Sequence, residues 1–127
     1  MRKTYMGVVL GIALNITLTS SVMAQTLPSL NGKGQWVGQG GMSLYTYDSD
    51  GTSGRSQCTG PCAALWPPYL AEASAKTHGD FSVIARPDRS LQWAYRGHPL
   101  YCYAGDATAG MANGDGMNGT WHIARQP

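Results

Sequence analysis

The sequence predicts a small, mainly antiparallel β domain that is built from two pseudo-equivalent repeats and carries one short helix near residues 61–66. Three observations lead to this fold class. The chain has 127 residues, which favours one domain. Its 17 glycines and seven tyrosines, against a single phenylalanine, are typical of many turns and of aromatic-rich strands. A ten-residue pattern also occurs twice in the chain.

Residues 1–24 have the features of a secretory signal peptide. Arg2 and Lys3 precede a 13-residue apolar run over residues 6–18, which is shorter than the about 20 residues of a membrane-spanning helix. Small residues then lead to a cleavage pattern that ends at Ala24. We expect cleavage before Gln25 and a soluble product, periplasmic or extracellular, with no membrane span in the mature chain. An uncleaved anchor is the alternative.

The charge balance argues against nucleic-acid binding. The chain carries nine basic and seven acidic side chains, and cleavage removes two basic residues and no acid, which leaves seven of each. Charged residues make up 13% of the chain, against roughly 25% in an average protein. Such a chain has no charge block that would attract nucleic acid or an anionic membrane. Its 43% content of hydrophobic residues also excludes a disordered chain.

The repeated pattern is G-x-x-L-Y-x-Y-x-x-D, which begins at Gly41 and again at Gly97, an offset of 56 residues. A tryptophan follows each copy, at Trp66 and Trp121. We therefore predict repeat 1 over about 35–68 and repeat 2 over about 92–124. Both lie in a single domain over 35–127, after a flexible lead over 25–34. The shared motif positions are Tyr45, Tyr47, Asp50, Tyr101, Tyr103 and Asp106.

Alternating side chains predict strands within each repeat. Tyr45 and Tyr47 fall on one face of a strand, and Leu44 and Thr46 fall on the other. Further strands are predicted over 81–84, 92–95, 100–103 and 121–124, with 92–95 and 100–103 joined as a hairpin by a four-residue loop. A proline near its first position favours a short helix over 61–65. A second, weaker helical segment is predicted over 71–76.

Further residues accompany the two copies of the motif. They are Cys58-x-x-x-Cys62-Ala63-Ala64-x-Trp66-Pro67-Pro68, Gly79-Asp80-Phe81, Gln92-Trp93-Ala94-Tyr95 and Gly119-x-Trp121-His122. With the motif, they resemble a bacterial family of secreted repeats and predicted lipoproteins that share Y-x-[FWY]-x-x-D. The resemblance covers most of residues 36–124 and implies an exported repeat of unassigned molecular function. The chain departs from the family in having no lipidation cysteine at the predicted cut, and in placing Cys102 where an aromatic residue is usual.

The three cysteines predict one disulfide and one free thiol. Cys58 and Cys62 are four residues apart, and in a helical turn their Cα atoms lie about 6 Å apart, within disulfide range. Export favours the bond, and Cys102 then remains as a free, buried thiol on the strand face of Leu100. The alternatives are half of a zinc site, a redox pair, reduced thiols, or pairing through Cys102. No second pair at zinc-ligand spacing exists, and a redox pair favours C-x-x-C.

Sulfur and imidazole side chains offer a weak signal for copper. Such soft ligands select copper in an exported protein, and we expect no other cofactor. Methionine and histidine also occupy the same repeat position, directly after Gly41 and Gly97. The candidate ligands are Met42, His98, Met111, Met117 and His122, with Cys102 as a further sulfur.

The sequence does not predict a catalytic site. Asp50 and Asp106 end the two motif copies, where we interpret them as caps of the strand exits rather than as an acid–base pair. The chain contains none of the common nucleophile, phosphate-loop or zinc-protease motifs. We therefore expect an exported structural or binding module whose partner is unknown, and not an enzyme. A periplasmic copper-handling protein is the alternative.

Overall fold

The computed structural model describes residues 25–127 and, of the first 24, only Gly7 and Gly11. The predicted signal peptide therefore lies outside the described residues. The chain is mainly β, as predicted, with one short α-helix at the predicted place. The strands are β1 Ser29–Leu30, β2 Trp36–Val37, β3 Tyr45–Tyr47, β4 Phe81–Ala85, β5 Leu91–Tyr95, β6 His98–Pro99 and β7 Trp121–Ile123; the helix α1 is Pro61–Leu65, and 3-10 turns cover Gln39–Gly41, Asp48–Asp50 and Met117–Gly119.

The strands form three small antiparallel sheets, with the orders β1-β2, β3-β7 and β4-β5-β6. Each half of the chain contributes an N-terminal hairpin, β1-β2 in the first and β4-β5 in the second. Strand β3 of the first half pairs with β7 of the second, with Tyr45 opposite Ile123 and Tyr47 opposite Trp121. The two halves therefore share a sheet.

A local twofold relation joins the two copies of the motif at Tyr45 and Tyr101. The backbone N–H of Tyr45 donates to the carbonyl of Tyr101 at 2.8 Å, and the N–H of Tyr101 donates back to the carbonyl of Tyr45 at 3.0 Å. Residues that are equivalent in sequence thus exchange equivalent bonds. This arrangement agrees with the predicted pair of pseudo-equivalent repeats.

Alternation along the two motif strands separates two hydrophobic cores. Leu44 and Leu100 lie in one of them, with Tyr69, Phe81, Trp93, Tyr95 and Ala124; we call this the leucine-side core. Tyr45 and Tyr101 lie in the other, with Cys58, Trp66, Trp121 and Ile123; we call this the tyrosine-side core. Each motif strand therefore buries both of its faces, which explains why all four of these motif side chains are fully buried.

The hairpin that follows β5 differs from the prediction. The predicted four-residue loop over 96–99 is wrong, because Tyr95 pairs with His98 and the loop has two residues, Arg96 and Gly97. Both have positive φ, 48° and 84°, as the tight turns of two-residue hairpins require. Residues 100–103 do not continue as a regular strand. Instead Tyr101 forms isolated bridges to Tyr45 and to Pro68.

Two further segments have contacts that the sequence did not predict. Residues 25–34, predicted as a flexible lead, contain β1, and the N–H of Gln25 donates to the carbonyl of Leu70 at 3.1 Å. No helix forms over the described segment 71–76. There the N–H of Ala71 donates to the carbonyl of Leu91 at 2.8 Å, which keeps the chain beside β5. So short a helical segment has too little intrinsic stability to oppose that pairing.

Candidate functional site

The two motif carboxylates are buried, and each binds the first tyrosine of the opposite repeat. Asp50 and Asp106 are 3% and 7% exposed. The hydroxyl of Tyr101 donates to Oδ2 of Asp50 at 2.5 Å, and the hydroxyl of Tyr45 donates to Oδ2 of Asp106 at 2.5 Å. We call these contacts the crossed Tyr–Asp bonds. They tie the repeats together through side chains, in addition to the shared sheet.

The second oxygen of each carboxylate holds a loop of its own repeat. Oδ1 of Asp50 accepts the N–H of Gln57 at 2.6 Å, and Oδ1 of Asp106 accepts the N–H of Asn113 at 2.9 Å. Both amides lie seven residues beyond the aspartate. The carboxylates therefore accept backbone N–H groups, as caps do, but these groups belong to a later loop and not to the strand exit for which capping was predicted.

Burial sets the protonation of these groups. It raises the pKa of both Tyr45 and Tyr101 well above the usual value, and the hydrogen bond to a carboxylate raises it further. Burial also raises the pKa of Asp50, while the bonds from Tyr101 and Gln57 and the charge of Arg86 oppose the shift. Both phenols are therefore neutral donors at neutral pH.

A buried arginine extends the network on the side of Asp50. One guanidinium nitrogen of Arg86 donates to Oγ of Ser56 and to Oε1 of Gln92, at 2.9 and 2.8 Å. The other donates to the carbonyl of Cys58 at 2.8 Å. Ser56 in turn lies 2.7 Å from the hydroxyl of Tyr101. Sequence reasoning missed Arg86, since nothing in the local pattern distinguishes it from a surface arginine after a strand.

The second motif tyrosines and the closing tryptophans form a stack of four rings. Tyr47 stacks on Trp121 at 4.3 Å and 12°, and Trp121 stacks on Trp66 at 3.8 Å and 4°. Trp66 then packs on Tyr103 at 4.5 Å and 31°. Rings of the first and second repeat alternate along the stack, so each of its three contacts joins one repeat to the other. All six motif residues thus contribute to contacts between the repeats.

The cysteines pair as predicted. Cys58 and Cys62 form a disulfide with a Cα–Cα distance of 5.2 Å, beside the start of α1. Cys102 is free and packs against the leucine-side core, but it is half-buried rather than fully buried. Burial raises the pKa of its thiol to about 11, so the thiol stays protonated and weakly nucleophilic at neutral pH.

The predicted copper ligands make contacts of different kinds. Nε2 of His122 lies 3.0 Å from Oδ2 of Asp48 on the surface. Met117 packs against the tyrosine-side core, and Sδ of Met111 accepts the N–H of Ala107 at 3.4 Å. Met42 is half-buried three residues before β3, and His98 lines a small surface cavity. Over residues 25–127, no three histidine, cysteine or acidic side chains gather in a metal-binding group.

A surface groove with an aromatic floor lies outside the repeated motif. Its volume is about 320 Å³, and its floor is formed by Trp36, Phe81 and Tyr95. The ring centroids of Trp36 lie 4.8 Å from Phe81 and 5.1 Å from Tyr95. At the rim, Nε of Arg96 lies 3.2 Å from Oδ2 of Asp80. We call this the aromatic groove.

One polar atom of Trp36 stands out. The indole Nε1 of Trp36 is buried, and it finds no hydrogen-bond partner among the residues that the structure describes. Buried N–H groups in folded proteins nearly always have a partner. Sequence reasoning missed the groove, because its floor comes from three separate segments of the chain.

Two segments of the chain, residues 29–69 and 82–125, match the model of a protein family described as a secreted repeat of unknown function. The chain belongs to this family. The match confirms the resemblance seen in the sequence, and both matched segments begin earlier than the repeats that we predicted. No curated protein and no solved structure matches the chain.

The two segments that match the secreted repeat correspond to the two halves of the fold. The first contains the β1-β2 hairpin and α1, and the second contains nearly all of the β4-β5 hairpin together with β6 and β7. The earlier start of each match thus adds the first strand of each hairpin. Within the described residues, no helix is long and apolar enough to cross a membrane.

Proposed function

We propose that the protein is an exported, non-catalytic binding module, periplasmic or extracellular, which holds a small ligand in the aromatic groove. The observation that carries this proposal is the buried, unpartnered N–H of Trp36 beside an open cavity. The absence of a partner is a statement about residues 25–127, the part of the chain that the structure describes. Membership of a family of secreted repeats supports export.

The motif itself supports a scaffold rather than a catalyst. Asp50 and Asp106 use both carboxylate oxygens on internal donors. The neighbouring phenols have raised pKa values and remain protonated. A general base must lie within reach of its substrate, and these carboxylates are only 3% and 7% exposed. The strongest candidate groups for acid–base chemistry are therefore committed to the fold.

The aromatic groove, in contrast, is lined by a residue whose hydrogen-bond donor has no partner within the described residues. A buried N–H without a partner costs about 1–3 kcal/mol, which a ligand acceptor would recover once a small movement of the Trp36 ring exposed Nε1. The aromatic floor offers apolar contact area, and the charged side chains of Asp80 and Arg96 at the rim offer polar contacts. A volume of about 320 Å³ is at the small end of the range for ligand sites.

The test is a thermal-shift screen of small metabolites and saccharides, followed by calorimetry of the hits on Trp36→Phe. This variant keeps an aromatic floor and removes the N–H, so we expect about tenfold weaker binding, the equivalent of one hydrogen bond. Trp93→Phe is the matched control, because its indole N–H donates to the carbonyl of Gln25 outside the groove. It should bind like the wild type.

Two outcomes would count against the proposal. If nothing in the screen binds, or if Trp36→Phe binds every hit as tightly as the wild type, the groove is not the ligand site. Elemental analysis of the exported protein is the second measurement. Stoichiometric copper in that sample would favour the copper-handling alternative instead.

A further inference from the structure

We propose that the ligand of the aromatic groove is a short acidic oligosaccharide, one sugar of which packs over Trp36 while a neighbouring carboxylated sugar lies between Arg96 and Arg125. This inference rests on the proposed function and names the ligand class of the same site.

The aromatic groove suits a sugar ring. A pyranose has an apolar C–H face and a rim of hydroxyls, each of which donates and accepts. The rings of Trp36, Phe81 and Tyr95 match the first property, since aromatic side chains combine a large apolar face with polar edges. The exposed carboxylate of Asp80 and guanidinium of Arg96 match the second.

A second cavity continues the groove. It has a volume of about 240 Å³, and it shares Tyr95, Arg96 and Pro127 with the aromatic groove. The guanidinium of Arg96, a residue that lines both cavities, lies 5.5 Å from the centre of the Tyr95 ring. A single sugar would occupy one cavity, whereas a linear oligosaccharide would occupy both. The residues shared by the two linings therefore favour an oligosaccharide over a single sugar as the ligand.

The charged side chains that line the second cavity are basic, and the last residue, Pro127, lines it as well. Its charged lining side chains are Arg96 and Arg125, with His98 beside them, and its described lining includes no aspartate or glutamate. Arginine binds carboxylates through two parallel hydrogen bonds. A sugar carboxylate placed there would meet two guanidinium groups, which is why we propose an acidic oligosaccharide rather than a neutral one.

Both arginines are free to reorient toward a ligand. Arg96 and Arg125 are 51% and 54% exposed at their side chains, and their partners are Asp80 at 3.2 Å and Asp115 at 3.9 Å. Exposed ion pairs of this kind contribute little to stability. A ligand carboxylate can therefore replace or share these partners without a large loss of folding free energy.

The test is calorimetry of the signal-free protein with four probes. These are trimers of galacturonate, of guluronate and of fully methyl-esterified galacturonate, and an aspartate-rich peptide. We expect at least one uronate trimer to bind. If that trimer is the galacturonate one, its methyl ester should bind about tenfold more weakly, because it keeps the sugar rings and loses the charge. Added salt should weaken the uronate complex.

Variants separate the two cavities. Arg125→Gln should weaken binding of the uronate trimer by about tenfold, the equivalent of one charged hydrogen bond, and should leave any binding of the methyl ester unchanged. Arg55→Gln is the matched control, since Arg55 is exposed and lines a different cavity. It should bind the trimers like the wild type.

The outcomes distinguish this inference from the proposed function. If neither uronate trimer binds, if the ester binds as well as the free galacturonate trimer, or if the peptide binds best, the acidic oligosaccharide is wrong. The proposed function survives that result when another ligand shows binding that depends on the N–H of Trp36. If no such ligand is found either, both proposals fail.

Discussion

Replacing Asp50 by alanine removes two hydrogen bonds at once, one buried and one partly buried, and the structure allows the cost to be worked out. The hydroxyl of Tyr101 and the N–H of Gln57 both lose their acceptor. A hydrogen bond to a charged group contributes about 1.5–3 kcal/mol. Since the hydroxyl can turn to Ser56, 2.7 Å away, we expect a loss of about 3 kcal/mol, which lowers the Tm of a domain of this size by roughly 10–20 °C.

The crossed partner offers a matched comparison. In Asp106→Ala, the hydroxyl of Tyr45 has no serine nearby; its other contact is the N–H of Gly114 at 3.4 Å, which is itself a donor. We therefore expect Asp106→Ala to destabilise at least as much as Asp50→Ala, although Asp106 is slightly more exposed. Asp→Asn should be milder at both sites, because asparagine keeps one oxygen acceptor.

The assay is urea and thermal unfolding followed by circular dichroism, with the double mutant Asp106→Ala/Tyr45→Phe to isolate the pair. The coupling free energy across this cycle should exceed about 1 kcal/mol, because the two side chains are in direct contact. Asp88→Ala serves as the control, since that carboxylate lies on the surface. If an Asp50 or Asp106 alanine variant has the same Tm as the wild type, or if the coupling free energy is near zero, the crossed Tyr–Asp bonds do not hold the repeats together.

Three further predictions concern titration, thiol chemistry and processing. Burial raises the pKa of Tyr45 and Tyr101 in the folded state. Their contribution to stability is therefore complete below the unfolded pKa of about 10 and is lost as the pH rises above it. The urea midpoint should fall steeply above that pH, and it should fall less in Tyr101→Phe. Cys102, whose thiol pKa is raised to about 11, should react with iodoacetamide more slowly at pH 8 than a free cysteine, as mass spectrometry would show; equal rates would mean that the thiol is accessible and ionised. The exported protein should begin at Gln25 without a lipid, and an intact mass that corresponds to another start or to a lipid adduct would contradict the cleavage after Ala24.

The alternation of side chains made much of the fold predictable. A strand presents successive side chains to opposite faces, so the L-Y-x-Y pattern separates Leu44 from Tyr45 whatever the rest of the chain does. The structure places these two residues in different cores. The disulfide was predictable for a similar reason, since a spacing of four residues keeps Cys58 and Cys62 close in any compact local conformation.

The partners of the motif residues were not predictable in the same way. Tyr101 binds an aspartate 51 residues before it, and Tyr45 binds one 61 residues after it. Because both copies of the motif offer the same groups, the sequence pattern is equally consistent with bonds within a repeat and between repeats. The choice is made by the antiparallel pairing at Tyr45 and Tyr101, which places each hydroxyl toward the opposite loop.

The prediction of a four-residue hairpin loop was wrong for a local reason. Pro99 cannot donate a backbone hydrogen bond, so a proline in this position favours a loop over a strand. In the structure Pro99 lies at the end of the short edge strand β6, where it needs no donor, and Ala94 is opposite. The turn therefore tightens to Arg96 and Gly97. This tighter turn is what brings Arg96 over the ring of Tyr95.

The crossed contacts make the pair of repeats the unit that folds and, under the proposed function, the unit that binds. One repeat alone would keep an aspartate without its tyrosine and a closing tryptophan without its stacking partner, in a segment of about the size below which chains rarely fold without help. The aromatic groove depends on the same association, because Trp36 comes from the first repeat and Tyr95 from the second. Weakening a crossed Tyr–Asp bond should therefore reduce ligand binding through loss of the folded pair, whereas changes at Arg125 should reduce binding with the fold intact. Measuring stability and affinity on the same variants separates the scaffold role of the motif from the recognition role of the groove.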